Sequence, residues 1–94
     1  MTIRGLTRDA ILQAIEEFDR LGRTQFLAKY GFRESKNRFL SLNGKLYDSK
    51  AIVGAAVGLQ HPGRGPLSAR SFSGGQGVER VLQSLGFEVN NGPR

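Results

Sequence analysis

Tyr47-Asp48-Ser49-Lys50-Ala51-Ile52-Val53-Gly54-Ala55-Ala56-Val57-Gly58-Leu59 is the stretch on which the fold turns. It opens polar and, past Lys50, has no polar face. A helix apolar all round belongs in the interior of a domain, whereas a membrane span needs roughly 20 such residues, so the stretch reads as a buried central helix. Gly54 and Gly58 lie one turn apart on one face, where the missing side chains let a neighbouring helix or strand approach closely. Each costs about 1 kcal/mol of helix propensity relative to alanine, which packing must offset.

Asp48 or Ser49 supplies the N-cap, but Lys50 sits against the positive end of the helix dipole. Two readings account for it. Either an anion such as a phosphate is shared among free backbone N–H groups, the Ser49 hydroxyl and the Lys50 ammonium, or the lysine snorkels from an apolar helix to solvent.

Immediately upstream, Asn43-Gly44 separates Arg38-Phe39-Leu40-Ser41-Leu42 from Lys45-Leu46-Tyr47. Both turn residues tolerate positive φ, so a β-hairpin feeds directly into the central helix. Lys45 and Tyr47 share one strand face and Leu46 the other, while the facing of the first strand stays open. Further upstream, past a short arm, Thr7 is an N-cap with Asp9 in the first turn. Ile11, Ala14, Ile15, Phe18 and Leu21 then recur at helical spacing up to Gly22. The outer face, Glu16, Glu17, Asp19 and Arg20, reads as solvated. Thr24 caps a second helix, Gln25 to Tyr30, closed by Gly31, with Phe26, Leu27 and Tyr30 on the core. Residues Phe32 to Asn37 form a connection.

Downstream, His61-Pro62-Gly63-Arg64-Gly65-Pro66 is an exposed loop by composition, with Arg64 at the tip of a semi-rigid finger that is either a plain connection or a groove-entering element. Ser73 caps a last helix whose apolar stripe is Val78, Val81, Leu82 and Leu85. Ser73, Gly74 and Gly75 at its start are suited to hold a phosphate on backbone N–H groups. The Walker lysine is missing and the glycine spacing departs from the dinucleotide fingerprint, which argues against nucleotide binding. Gly86 ends the helix, Phe87-Glu88-Val89 is a closing strand, and residues 90–94 read as a frayed tail. The order ααββααβ predicts one small α+β domain with its core at about residues 6–89. A three-stranded, mainly antiparallel sheet is packed with about four helices, and a winged-helix arrangement is the rival.

The 94 residues contain no cysteine and a single histidine, His61, which argues against disulfides, thiolate metal sites and a histidine-based catalytic centre. No metal and no cofactor is expected. With no signal peptide or long apolar run, the expectation is a cytoplasmic chain without membrane contact. Between Arg20 and Arg70 stand ten Lys or Arg against Glu34 and Asp48 only, a local +8, while the rest of the chain sums to −2. That asymmetry is the electrostatic footprint of a nucleic-acid binder.

The residues Phe26-Leu27-x-Lys29-Tyr30-Gly31-Phe32, Asn43-Gly44-Lys45-x-Tyr47-Asp48-Ser49-Lys50-Ala51-Ile52, Pro66-Leu67-Ser68, Phe72-Ser73-Gly74-Gly75 and Leu85-Gly86-Phe87 carry a resemblance, running from about Leu6 to Val89. The chain resembles the prokaryotic N-terminal head domain of ScoMcrA-like modification-dependent restriction endonucleases. The resemblance implies binding of modified duplex DNA, with 5-methylcytosine as the expected modification, on behalf of a covalently linked or associated HNH-type nuclease module. No His-Asn-His constellation is present, so the domain is expected not to be an enzyme. Adjacent Ser49 and Lys50 diverge on a helix and have no general base.

The charge and helix-terminus argument places DNA contacts at Lys36, Arg38, Lys45, Ser49, Lys50, Arg64 and Arg70, with Ser73, Gly74 and Gly75 as a second phosphate site. Tyr47 and Phe72 flank the two sites and are either base-stacking or core residues. An RNA-binding module and a protein-interaction module that positions a nuclease are the alternatives.

Overall fold

The computed structural model describes residues 5–72 and 76–90, apart from the Gln76 side chain. The expected N-cap Ser73 and glycines Gly74 and Gly75, and the tail from residue 91, lie outside the described residues.

In α1 (Arg8–Leu21) the Thr7 hydroxyl accepts the Ala10 N–H at 3.1 Å, and Ala10, Ile11, Ala14, Ile15 and Phe18 are buried as their spacing requires. Gly22, at φ 86°, ends α1 and begins α2 (Arg23–Tyr30) with no residue between. Thr24 is therefore not the cap of α2: the Gly22 carbonyl takes the Phe26 N–H at 2.9 Å, and Thr24 lies inside the first turn. This sharp reversal folds α2 back on α1 and overturns the reading of Glu17 as solvated. Glu17 is 6% exposed, accepts from Tyr30 Oη at 2.5 Å and is ion-paired with Lys29. Burial alone would raise its pKa, but the hydrogen bonds from Lys29 and Tyr30 and the charges of Lys29 and Arg20 outweigh it and hold the carboxyl below its ordinary value. The stability this contributes is present above the unfolded pKa and is lost as pH falls through the lowered folded one.

The hairpin forms as its turn demands. Asn43 (φ 54°) and Gly44 (φ 80°) join β1 (Phe39–Leu42) to β2 (Lys45–Asp48). β3 (Glu88–Asn90) pairs antiparallel with the other edge of β1, so the sheet order is β2-β1-β3. Asn90, expected in the frayed tail, is opposite Phe39. Leu40, fully buried between Tyr47 and Val89 in the register, settles which face of β1 is inward. Phe39, on the other face, is covered by the Arg23 guanidinium 6.0 Å from its ring centroid.

α3 (Ser49–Gln60) follows β2 without a linker and is buried at Ser49 and from Ala51 to Val57; α1 packs on it more extensively than any other pair of elements meets. Its last turn reaches the surface, where Gln60 bonds the Thr7 N–H and the Gly5 carbonyl. The glycine face is covered neither by a helix nor by a strand. Phe32, which belongs to the core rather than to a polar connection, packs its ring there beside the segment 66–69, which retraces α3. A Cβ on Gly54 would lie 2.7 Å from Phe32 Cζ and 2.8 Å from the Leu67 carbonyl oxygen, and one on Gly58 would lie 2.6 Å from Pro66 N. The Leu67 N–H donates to the Gly54 carbonyl at 3.1 Å, fixing the register.

Beyond this segment, α4 (Gln76–Ser84) buries Val78 and Leu82, and Gly86 at φ 90° turns the chain into Phe87 and β3. Arg8 stacks over the Phe87 ring at 4.3 Å and donates to the Leu85 carbonyl at 2.7 Å, tying the start of α1 to the connection between α4 and β3.

Gly58→Ala should destabilise the domain by about 1–3 kcal/mol although alanine is the better helix former, because Pro66 backbone atoms occupy the space of the added methyl. Thermal melts should fall by roughly 4–8 °C per kcal/mol in a chain of this size. A melt at or above that of the parent would place the 66–69 segment off the helix.

Candidate nucleic-acid interface

The geometry around the start of α3 is set by Asp48. Its carboxylate, in a residue 1% exposed, accepts Arg23 Nε at 2.9 Å and Nη2 at 2.8 Å, and the Ser35 backbone N–H at 2.8 Å. A buried carboxylate needs such partners, and two parallel bonds from one guanidinium are the strongest arrangement available. Asp48 consequently makes no side-chain capping bond to α3. Ser49 is equally committed: 1% exposed, it donates to the Arg38 carbonyl at 3.2 Å, so its hydroxyl does not join the anion site expected there. Lys50 owes its place neither to free snorkelling nor to an anion alone. Its ammonium donates to the Ala69 carbonyl at 2.7 Å and lies 5.1 Å from the centroid of the Phe72 ring, two interactions that offset the unfavourable end of the dipole.

Tyr47 is a core residue. It is 4% exposed, its ring meets Phe18 edge-on at 4.9 Å, and its hydroxyl donates to Asp19 at 3.0 and 3.1 Å, which leaves no ring face for a base. Burial, followed by the bond to Asp19 and its charge, pushes the phenol up from 10.0 to about 12. Lys45 pairs with the same Asp19 at 2.6 Å, so this acid lies on the solvated face of α1 as expected and is also a junction to β2. Arg38 is paired with Glu79 at 2.5 Å. Phe72 is half-buried, edge-on to Phe32 at 6.2 Å.

Between Gly31–Ser35 on one side and Ala69–Arg70 on the other, with Lys50 and Ala51 between them, lies an open cleft of about 500 Å³. Its cations are Arg33, Lys50 and Arg70. Arg33 and Arg70 are exposed and take part in none of the ion pairs formed among the described residues. Glu34, the acid in the same wall, is 3.6 Å from Arg23. Arg33 also borders a second groove, of about 490 Å³, together with Lys36.

Of the residues singled out from the sequence, the fold thus brings Lys50 and Arg70 together, with Lys36 one groove away. Arg38 and Lys45 are held by acids elsewhere, Tyr47 and Ser49 are inside, and Arg64 is exposed past the opposite end of α3. Arg33 was missed. The available signal was its position after Phe32: a buried aromatic anchors the loop and projects the next residue outward. The Arg23–Asp48 pair had no local signature.

The model of the family described as ScoMcrA-like, N-terminal head domain, matches residues 4–91. The solved structure of the Type IV phosphorothioation-dependent restriction endonuclease ScoMcrA contains a similar domain, with 34% sequence identity and a TM-score of 0.69 over 95% of this chain. This chain spans 13% of the length of that one. No curated protein matches the chain.

The Tyr47 hydroxyl supplies an alkaline test. A phenol raised from 10.0 to about 12 in the fold contributes stability that is full below pH 10 and lost as pH rises through 12. Urea midpoints should therefore fall from pH 9 to pH 11.5, and Tyr47→Phe should be less stable than the parent at neutral pH yet fall less steeply. Parallel pH profiles for the two proteins would show that the phenol is not held by Asp19.

Proposed function

The chain belongs to the family of ScoMcrA-like N-terminal head domains, and from that premise we propose that it is a non-catalytic module that binds modified duplex DNA for a linked or associated nuclease. One observation carries the binding role. In the segment that holds most of the positive charge, Arg23, Lys29, Arg38 and Lys45 are matched by acids within the fold, while Arg33, Lys50 and Arg70 gather in one cleft and Lys36 adjoins it. Cations matched internally contribute little field at a distance. Three cations beside the single acid of the cleft, Glu34, which lies 3.6 Å from Arg23, attract a polyanion and release its condensed counterions on contact.

Family membership supports modified DNA in a prokaryotic restriction system, acting in the cytoplasm, as the setting. Two modifications compete as the feature read: 5-methylcytosine, and the phosphorothioate on which ScoMcrA depends. Tyr47 in the core removes one proposed base-stacking platform, which favours contacts to the strand backbone over stacking. Among the described residues no helix is long and apolar enough to cross a membrane.

Affinity for duplex DNA should fall linearly in log–log form with salt, with a slope of about −3 if the three cleft cations each neutralise a phosphate. Fluorescence anisotropy at several ionic strengths, with unmodified, 5-methylcytosine and phosphorothioate duplexes and a single-stranded RNA, measures slope and preference together. A flat salt dependence, or tighter binding of the RNA, would overturn the proposal.

A further inference from the structure

We propose that the cleft between residues 31–35 and 69–70 is the seat of one strand-backbone segment, a phosphodiester with its flanking sugars, gripped by Arg33, Arg70 and Lys50. The inference rests on the DNA-binding reading and specifies where and how the strand is held. Arg33 and Arg70 line one cleft from separate loops, and a guanidinium carries a planar fork of N–H donors suited to phosphate oxygens. The Lys50 ammonium, which lines the same cleft, has three donors, of which one goes to the Ala69 carbonyl at 2.7 Å. At about 500 Å³ the cleft lies within the roughly 300–1,000 Å³ range of small-molecule sites and exceeds what a phosphate alone fills. The remaining lining includes Ala51, Ala69 and Phe32, against which the C–H face of a sugar can rest.

Both walls are fixed before any ligand arrives. Ser35 is held by Asp48 through its N–H at 2.8 Å, and Arg23 Nη2 reaches the Ser35 carbonyl at 3.4 Å. The opposite wall is held by the Leu67–Gly54 backbone bond, by Lys50 on Ala69 and by the Ser71 N–H on the Ser68 carbonyl at 3.0 Å. Walls already ordered cost little entropy on binding, so the arginines act from a stable frame. Arg23 and Asp48 are positioning residues in this arrangement.

The test compares two variants of equal net charge. Arg33→Gln/Arg70→Gln empties the cleft of its guanidiniums, and Arg20→Gln/Arg80→Gln removes two exposed arginines outside it. Both should melt within a few degrees of the parent. The cleft variant should bind duplex DNA about tenfold or more weakly, with a salt slope smaller by about two, while the other should change affinity less than about threefold. Amide chemical shifts read the site without mutation: duplex DNA should move Gly31–Ser35, Ala69 and Arg70, and inorganic phosphate at matched ionic strength should move the same amides weakly and be displaced by duplex. Parent binding with equal losses in the two variants would overturn the seat and leave the DNA-binding reading standing. Amides that respond to phosphate or a nucleoside monophosphate but not to duplex would mark a free-anion site and overturn it as well. A parent that binds no DNA at low salt would overturn both proposals.

Discussion

The Asp48 carboxylate is the constraint on which the rest of this small domain depends. It sits where β2 becomes α3, out of contact with water, and a charge in such a place is tolerated only if every lone pair finds a donor. Arg23 and the Ser35 N–H supply those donors from two different parts of the chain. The first turn of α2, the connection after it and the hairpin's last residue are thereby held at one point. Covering Phe39 with the same guanidinium adds an apolar role to the charged one. Removing Arg23 would strand the buried carboxylate, a loss of about 3–5 kcal/mol where a pair is fully buried and smaller here because Arg23 is 39% exposed.

Much of the architecture was legible because it rests on short-range rules. Helical spacing of Ile11, Ala14, Ile15 and Phe18, positive φ at Asn43 and Gly44, and the apolar run after Lys50 each need only neighbouring residues for their interpretation. What could not be read was pairing between distant groups. Glu17 looks like part of an ordinary wet face on α1 until α2 brings Lys29 and Tyr30 to it, and Asp19, which stays exposed, gives no local sign that β2 brings it Lys45 and Tyr47. Threonine prefers cap positions, which is the reading Thr24 invites, but Gly22 accomplishes the reversal alone. In the proposed site, Lys50 and Arg70 were readable from charge and position, whereas Arg33 lay in a segment that looked like linker because the burial of Phe32 is a tertiary fact.

Net charge was informative only after this sorting. The basic middle of the chain meets the acids of α1 and α4 across the fold, so part of the sequence asymmetry is neutralised internally: Lys29 and Lys45 answer acids of α1, and Arg38 answers Glu79. A surface potential drawn from composition alone would spread positive charge over the hairpin. The fold instead pairs the hairpin cations Arg38 and Lys45 and leaves Arg33, Lys50 and Arg70 lining the cleft where the 31–35 and 69–70 connections converge.

The segment that retraces α3 works as a ruler. Pro66 is set against Gly58, Leu67 against Gly54 and Ala69 against Lys50, so its residues are counted off against turns of the helix. A residue inserted between Pro66 and Ala69 would slide the far wall of the cleft along the helix and spoil its alignment with the near wall. One inserted between His61 and Arg64 would only lengthen an exposed bend. Length is therefore constrained in this chain between Pro66 and Ala69 and little constrained before Pro66, which makes the exposed His61–Arg64 bend the natural place to graft a reporter or an additional binding loop.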